Sequence, residues 1–215
     1  TDKTGTLTRN EMMVAHVMLS RETFTVTGAG YAPDGGFHCG GHTVDPQDCA
    51  PLLELARSAL RCNDARLSRD AEGWTLVGDP TEVALVVAAA QLGLDKQHLE
   101  QIAPRVAELP FDSGRKLMTT VHSVTDLAGA PEVLQSAMAN DPAPYLAFTK
   151  GAVDRLLEGS TAVWSEGIEP LTESWRQRIV AANVQLAGDG MRVLGVAFRR
   201  LDAPVTHDNG SPIEH

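Results

Sequence analysis

The residue best suited to covalent chemistry is Asp2. It lies in Thr1-Asp2-Lys3-Thr4-Gly5-Thr6-Leu7-Thr8, where one carboxylate sits in a run of hydroxyls with a single glycine. An Asp carboxylate can attack a phosphoryl group and form an aspartyl phosphate, which splits one difficult transfer into two easier ones. The neighbours suit that reaction. Lys3 offers a point charge, Thr4 and Thr6 offer hydroxyl and backbone donors, and Gly5 lets the backbone approach a phosphate closely.

Three further stretches carry residue types that suit a nucleotide. In Leu109-Pro110-Phe111-Asp112-Ser113-Gly114-Arg115-Lys116 an aromatic ring precedes a tight Asp-Ser-Gly turn and two cations. A ring of this kind stacks on a base for ~1–3 kcal/mol, and Lys116 has the reach to meet phosphate oxygens. The competing reading is a core Phe beside a solvated charged turn. Lys150-Gly151-Ala152 closes a strand-like run, so the lysine is either a ligand-facing cation or an ordinary exposed one. Arg192 interrupts an apolar run, Met191 to Phe198, and needs a partner there, either a carboxylate of the fold or a phosphate. Glu82, in Asp79-Pro80-Thr81-Glu82, stands where a capping-box acid reaches back to the start of a helix.

These residues match a known family. Asp2-Lys3-Thr4-Gly5-Thr6-Leu7-Thr8 resembles the phosphorylation signature of P-type cation-transporting ATPases over all seven positions. Gly78-Asp79-Pro80-Thr81-Glu82 resembles the family segment whose Glu contacts the adenine amino group, and Phe111 with Arg115-Lys116 resembles its adenine-pocket motif. Lys150-Gly151-Ala152 resembles the start of its Lys-Gly-Ala-Pro-Glu, and Gly190-Met191-Arg192-Val193-Leu194 its Gly-x-Arg-x-Leu. Two departures stand out: Ser113 replaces a frequent Arg, so that phosphate contact is either missing or supplied by Arg115, and Val153-Asp154 replace Pro-Glu.

The resemblance implies ATP and Mg²⁺, with Asp2 as nucleophile helped by Lys3 and Thr4, and with Asp2 and Thr4 at the metal. It also implies adenine on Phe111 near Glu82, and phosphates facing Arg115, Lys116, Lys150, Gly151 and Arg192. A haloacid-dehalogenase-type phosphatase is the nearer rival. Those enzymes carry a second Asp two places on as general acid, and Thr4 occupies that place here. Gly78-Asp79-Pro80-Thr81-Glu82 together with Lys150-Gly151-Ala152 resembles the type II pumps that move calcium, or sodium and potassium, with calcium as the ion by analogy alone. The implied setting is a cytoplasmic domain of an integral membrane protein, whose partners are the phosphorylation, actuator and transmembrane domains of the same pump. The segments Gly-Asp-Gly-x-Asn-Asp and Thr-Gly-Glu-Ser do not occur, so the 215 residues alone are expected to bind nucleotide without completing turnover.

Composition is consistent with this. Hydrophobic residues make up 43% and charged ones 21%, which suits a globular fold. A net charge of -10 argues against nucleic acid or an anionic membrane as partner, since either needs a basic patch. The longest apolar run, Val83 to Ala90, falls far below the roughly 20 residues of a membrane helix. Cys39, Cys49 and Cys62 are odd in number and share no C-x-x-C spacing, so they read as free thiols of a reducing compartment. His38, Cys39, His42 and Cys49 offer metal-ligand types, but the glycines around them make that stretch read as a loop.

The elements expected to position the site are of mixed kind. Met12–Leu19 and Thr23–Thr27 predict a hairpin, Pro51–Cys62 an amphipathic helix and Trp74–Val77 a strand. Val83–Leu92 predicts a helix capped by Asp79 and stopped by Gly93, and Leu94–Ile102 a shorter one. Strands are predicted over Leu117–Val124, Tyr145–Thr149 and Met191–Phe198, and helices over Val153–Leu157 and Pro170–Ala187. Neighbouring hairpins rather than regular alternation predict an α+β fold, an antiparallel β-sheet flanked by helices. By the resemblance, residues 1–10 are a short stub of the phosphorylation domain, 11–203 the nucleotide-binding domain and 204–215 a flexible return segment.

Overall fold

The computed structural model describes residues 11–20, 22–71, 73–124, 144–165 and 167–204. Asp2, Lys3 and Thr4 lie outside the described residues, as does most of the Ala- and Pro-rich stretch from Asp126 to Pro144. Contacts divide the chain into two compact units, residues 1–96 and 97–215.

The first unit is built on a small antiparallel sheet in the order β1 (His16–Met18), β2 (Thr23–Val26), β3 (Phe37–Cys39), β4 (His42–Thr43). Alternation along β2 and β3 turns Phe24 and Phe37 inward, where they meet Leu52 and Leu53 of α1 (Ala50–Arg61) and Ala88 and Leu92 near the end of α2 (Pro80–Gln91). Each such side chain, fully buried, contributes about 1.5–3 kcal/mol. The stretch expected to be a loop around Cys39 is therefore partly a hairpin. Gly40 and Gly41, both at positive φ, make its turn. A two-stranded ribbon, β5 (Arg66–Asp70) with β6 (Gly73–Val77), connects the helices. β5 was not expected, because Arg66, Ser68, Arg69 and Asp70 hide its strand character.

α2 starts as its sequence predicts. The Asp79 side chain accepts from the Thr81 amide at 2.8 Å and Pro80 takes the first turn. Apolar residues on several sides, Val83, Ala84, Val86, Val87, Ala88 and Ala89, are buried, so this is a core helix rather than a surface one. Gly93, at φ 75°, follows its end.

The second unit opens with α3 (Lys96–Ile102) and is organised by a four-stranded antiparallel sheet, ordered β12 (Gly195–Leu201), β9 (Tyr145–Gly151), β8 (Leu117–Ser123), β7 (Arg105–Asp112). The inner strands form the core: Phe148 and Val121 are 0% exposed and Leu146 1%. His122 is also buried, held by the Ala103 carbonyl at 2.9 Å and the Thr120 hydroxyl at 3.1 Å, with its ring edge-on to Phe148. α4 (Val153–Gly159) packs on β9 and β12, and α5 (Glu173–Gly188) packs on α4. Arg176 of α5 donates to the Leu157 and Ser160 carbonyls and ties the two helices. A short hairpin, β10 (Ala162–Trp164) with β11 (Ile168–Pro170), was not expected from sequence.

The α+β class is as read from sequence, but among the described residues the β-structure is spread over four separate sheets. Three boundaries matter for the site. β9 runs through Lys150 and Gly151 rather than stopping before them, and β12 starts at Gly195, leaving Arg192 in the extended approach to the strand. β7 was missed because Leu109-Pro110 looks like a break. It is an edge strand, where proline is tolerated, and its pairing with β8 shifts register between Leu109 and Asp112.

Candidate functional site

One end of the β12-β9-β8-β7 sheet gathers most of the residues singled out by sequence. The last rung pairs Asp112 with Leu117, Leu117 with Gly151, and Gly151 with Gly195. Phe111 is the penultimate residue of β7, Arg115 and Lys116 belong to the β7–β8 connection at that end, Lys150 to the preceding rung, and Arg192 lies three residues before Gly195. Antiparallel register alone brings these stretches, far apart in sequence, to one edge.

Phe111 is 63% exposed. The reading of it as a core residue is therefore wrong, and its face is open to a planar ligand. The turn beyond it is tightly organised. The Asp112 carboxylate accepts from the Arg115 amide at 2.8 Å and its carbonyl from the Lys116 amide at 2.6 Å. The Arg115 guanidinium folds back to the Pro110 carbonyl at 3.1 Å. Lys116 has φ 59°, which makes it the one non-glycine residue at positive φ among the described residues. Such a conformation costs of order 1–2 kcal/mol for an L residue, and strain of this kind gathers at ligand sites.

What holds it there is the end of β9. The Ala152 amide donates to the Lys116 carbonyl at 3.1 Å. A Cβ on Gly151 would lie 2.1 Å from that same carbonyl oxygen. The glycine thus makes room for backbone of the next strand, a role distinct from the ligand approach expected of it.

Lys150 is only 7% exposed, contrary to the reading of an ordinary surface lysine. Its Nζ lies 3.1 Å from the Sδ of Met118, its cross-strand partner. Arg192 is exposed, which answers the earlier question of how its burial is offset.

Glu82 belongs to the first unit. Its Oε2 accepts from the Asp64 amide at 3.1 Å, and its carbonyl accepts from the Asn63 side chain at 3.0 Å. Asn63 is fully buried and also accepts from the Ala65 amide at 2.8 Å, while Lys96 donates to the Asn63 and Ala65 carbonyls. Glu82 therefore braces the corner after α1. Neither Asn63 nor Met118 was singled out from sequence, since nothing local marks a side chain whose partner lies on another element.

The largest electrostatic perturbation lies elsewhere in the first unit. Burial pushes the Glu54 carboxyl up to about 7, against the pull of Arg61 and Arg57. Both arginines stand off, at 3.9 Å and 3.7 Å, and neither carboxylate oxygen has a hydrogen-bond partner among the described residues. Burial likewise lowers Arg61. Among the described residues, no group of three or more His, Cys, Asp or Glu side chains is placed to hold a metal ion. No helix among them is long and apolar enough to cross a membrane.

Comparison with known proteins decides the family. The sequence profile described as "P-type ATPase, cytoplasmic domain N" matches residues 51–214. This chain belongs to that family. It is 32% identical over 206 residues to a calcium-transporting ATPase of Bacillus subtilis, covering 95% of this chain and 21% of the relative. It is 35% identical over 207 residues to a probable cation-transporting ATPase F of Mycobacterium bovis, covering 92% and 20%. A calcium-transporting ATPase type 2C member 1 of Bos taurus is 34% identical over 200 residues, covering 91% of this chain and 19% of its own length. The chain thus spans about a fifth of the length of these curated relatives. The matched P-type ATPase region holds Glu82, Phe111, Lys150 and Arg192, and leaves Asp2 before its start.

Proposed function

We propose that this chain binds ATP at the open end of the β12-β9-β8-β7 sheet and serves as the nucleotide-binding part of a P-type cation pump. The observation that carries the reading is the exposed Phe111 face beside a strained turn, with Arg115, Lys116, Lys150 and Arg192 at the same sheet end. Adenine stacks on Phe111, and the cations face the triphosphate, where they offset the chain's net charge of -10 locally. Gly151 serves this arrangement by admitting the Lys116 carbonyl. Glu82, in the first unit, keeps its contact with the Asp64 amide.

In the full pump the γ-phosphoryl group is transferred to Asp2, with Lys3 and Thr4 alongside. The Oδ of Asp2 forms a bond to phosphorus as the bond to the bridging oxygen of ADP breaks. The carboxylate of Asp2 and the oxygens of Thr4 are hard donors that suit Mg²⁺, which neutralises phosphate charge when bound. Residues 1–10 then belong to the phosphorylation region, 11–203 to the nucleotide-binding domain and 204–215 to a return segment. The ion is a cation, and calcium follows from the names of the relatives. The pump's membrane-embedded and other cytoplasmic parts are the partners, and the chain itself is placed on the cytoplasmic side.

Calorimetric titration with ATP tests the pocket. Phe111→Ala and Lys150→Ala should each weaken binding about tenfold or more, and unchanged affinity in both removes the assignment. Incubation with labelled ATP and Mg²⁺ tests chemistry by the chain itself. Acid-stable label that is lost in Asp2→Asn would establish transfer, whereas its absence leaves a binding module. Phosphate release from small phosphoesters is expected to be nil, in contrast to a phosphatase.

A further inference from the structure

Asp112 stands at the centre of the hydrogen bonds that shape the β7–β8 turn, yet its charge is of the wrong sign for a phosphate site. Its carboxylate closes the turn by accepting from the Arg115 amide at 2.8 Å, and its carbonyl accepts from the Lys116 amide at 2.6 Å. These two bonds fix the peptide units on either side of Arg115. Lys116 is thereby held at φ 59°, with its carbonyl turned onto the Ala152 amide at 3.1 Å. The direction in which a side chain leaves the backbone follows from φ and ψ, so a residue that sets Lys116 in this rare region also sets where its ammonium can go.

We propose that Asp112 is a positioning residue for the triphosphate: it touches no ligand, and acts by locking the turn so that Arg115 and Lys116 are presented together at the sheet end. The side chain is chosen for its reach. An Asp oxygen two bonds from Cβ meets the amide three residues on, the reach by which a capping side chain meets the N3 amide of a helix. Gly151 supplies the other half of the lock, since a Cβ there would lie 2.1 Å from the Lys116 carbonyl oxygen. The repulsion between the Asp112 carboxylate and phosphate oxygens is the cost of this arrangement, and Arg115 and Lys116 beside it offset that charge. The inference rests on the proposal that these two cations face phosphates.

Two substitutions separate geometry from charge. Asp112→Asn keeps the acceptor oxygen at the same reach and removes the charge. Asp112→Glu keeps the charge and moves the oxygen one bond farther. ATP and adenosine are titrated into the full 215-residue chain carrying each variant, with thermal unfolding followed alongside. The expected result is that Asn binds ATP as well as wild type or better. Glu should lose about tenfold in ATP affinity, the order of one charge-assisted contact, while adenosine affinity stays unchanged in both. Glu binding ATP like wild type, Asn as damaging as Glu, or equal losses for ATP and adenosine would each overturn the proposal. Lys116→Ala keeps the two ideas apart: if it binds ATP normally, the phosphate reading of that lysine fails whatever Asp112 does.

Discussion

Two phenylalanines of one sheet show how differently the same side chain is used. Phe148, in the middle of β9, is 0% exposed and meets the buried ring of His122 edge-on at 5.5 Å. Phe111, near the end of β7, is 63% exposed. The middle of the sheet is a core with its polar groups satisfied internally, as His122 illustrates with a bond at each ring nitrogen. The end holds an open ring, a non-glycine residue at positive φ and a lysine seated on a thioether. Stability has been concentrated in the first region and given up in the second, the pattern expected where a rigid scaffold carries a ligand site.

The comparison breaks most readily at Phe148. Phe148→Ala is expected to cost about 3–5 kcal/mol of unfolding free energy in denaturant titrations, because the cavity is enclosed on all sides. A cost below 1 kcal/mol would mean that the middle of the sheet is not the core described. Gly151→Ala should come next, at about 2–4 kcal/mol, since its new Cβ would fall 2.1 Å from the Lys116 carbonyl and backbone must shift. ATP affinity in that variant should fall further than stability alone explains, because Lys116 moves with the turn.

A third effect concerns a buried charge rather than a buried ring. Glu54 has its folded carboxyl raised to about 7 from an unfolded value of 4.5, so the folded chain holds this proton over that interval and the unfolded chain does not. Its contribution to stability is fully present below about pH 4.5 and is lost as pH rises to about 7, on the order of 3 kcal/mol. Glu54→Gln should remove that slope. Unfolding free energies of both forms across this range check it, and a constant difference between them would contradict it. The smallest expected effect returns to the sheet end. Lys116→Gly should stabilise the chain by up to about 1 kcal/mol, by relieving the positive φ, while weakening ATP binding.

Much of this division was legible in the sequence. Asp79-Pro80 marked the start of α2 because a cap is a local device, and the apolar runs of β8 and β9 marked a buried sheet. Phe111, Lys116 and Lys150 were singled out by residue type and by family resemblance. The sequence did not convey exposure or the company each residue keeps. Phe111 and Phe148 are the same residue in a one-dimensional string, and only the register of β7, β8 and β9 separates them. β7 itself was hidden by Pro110, which an edge strand with a register shift can hold. The packing role of Gly151 was hidden for the same reason, since the atom it makes room for belongs to Lys116, 35 positions earlier.

The account is tested most directly by a ¹H–¹⁵N correlation spectrum of the chain titrated with ATP. Shifts should concentrate at the amides of Phe111 to Lys116, Lys150 to Ala152 and Arg192 to Gly195, while those of Thr120, Val121 and Phe148 stay in place. Shifts that bypass this end of the sheet, or none at millimolar ATP, would contradict it.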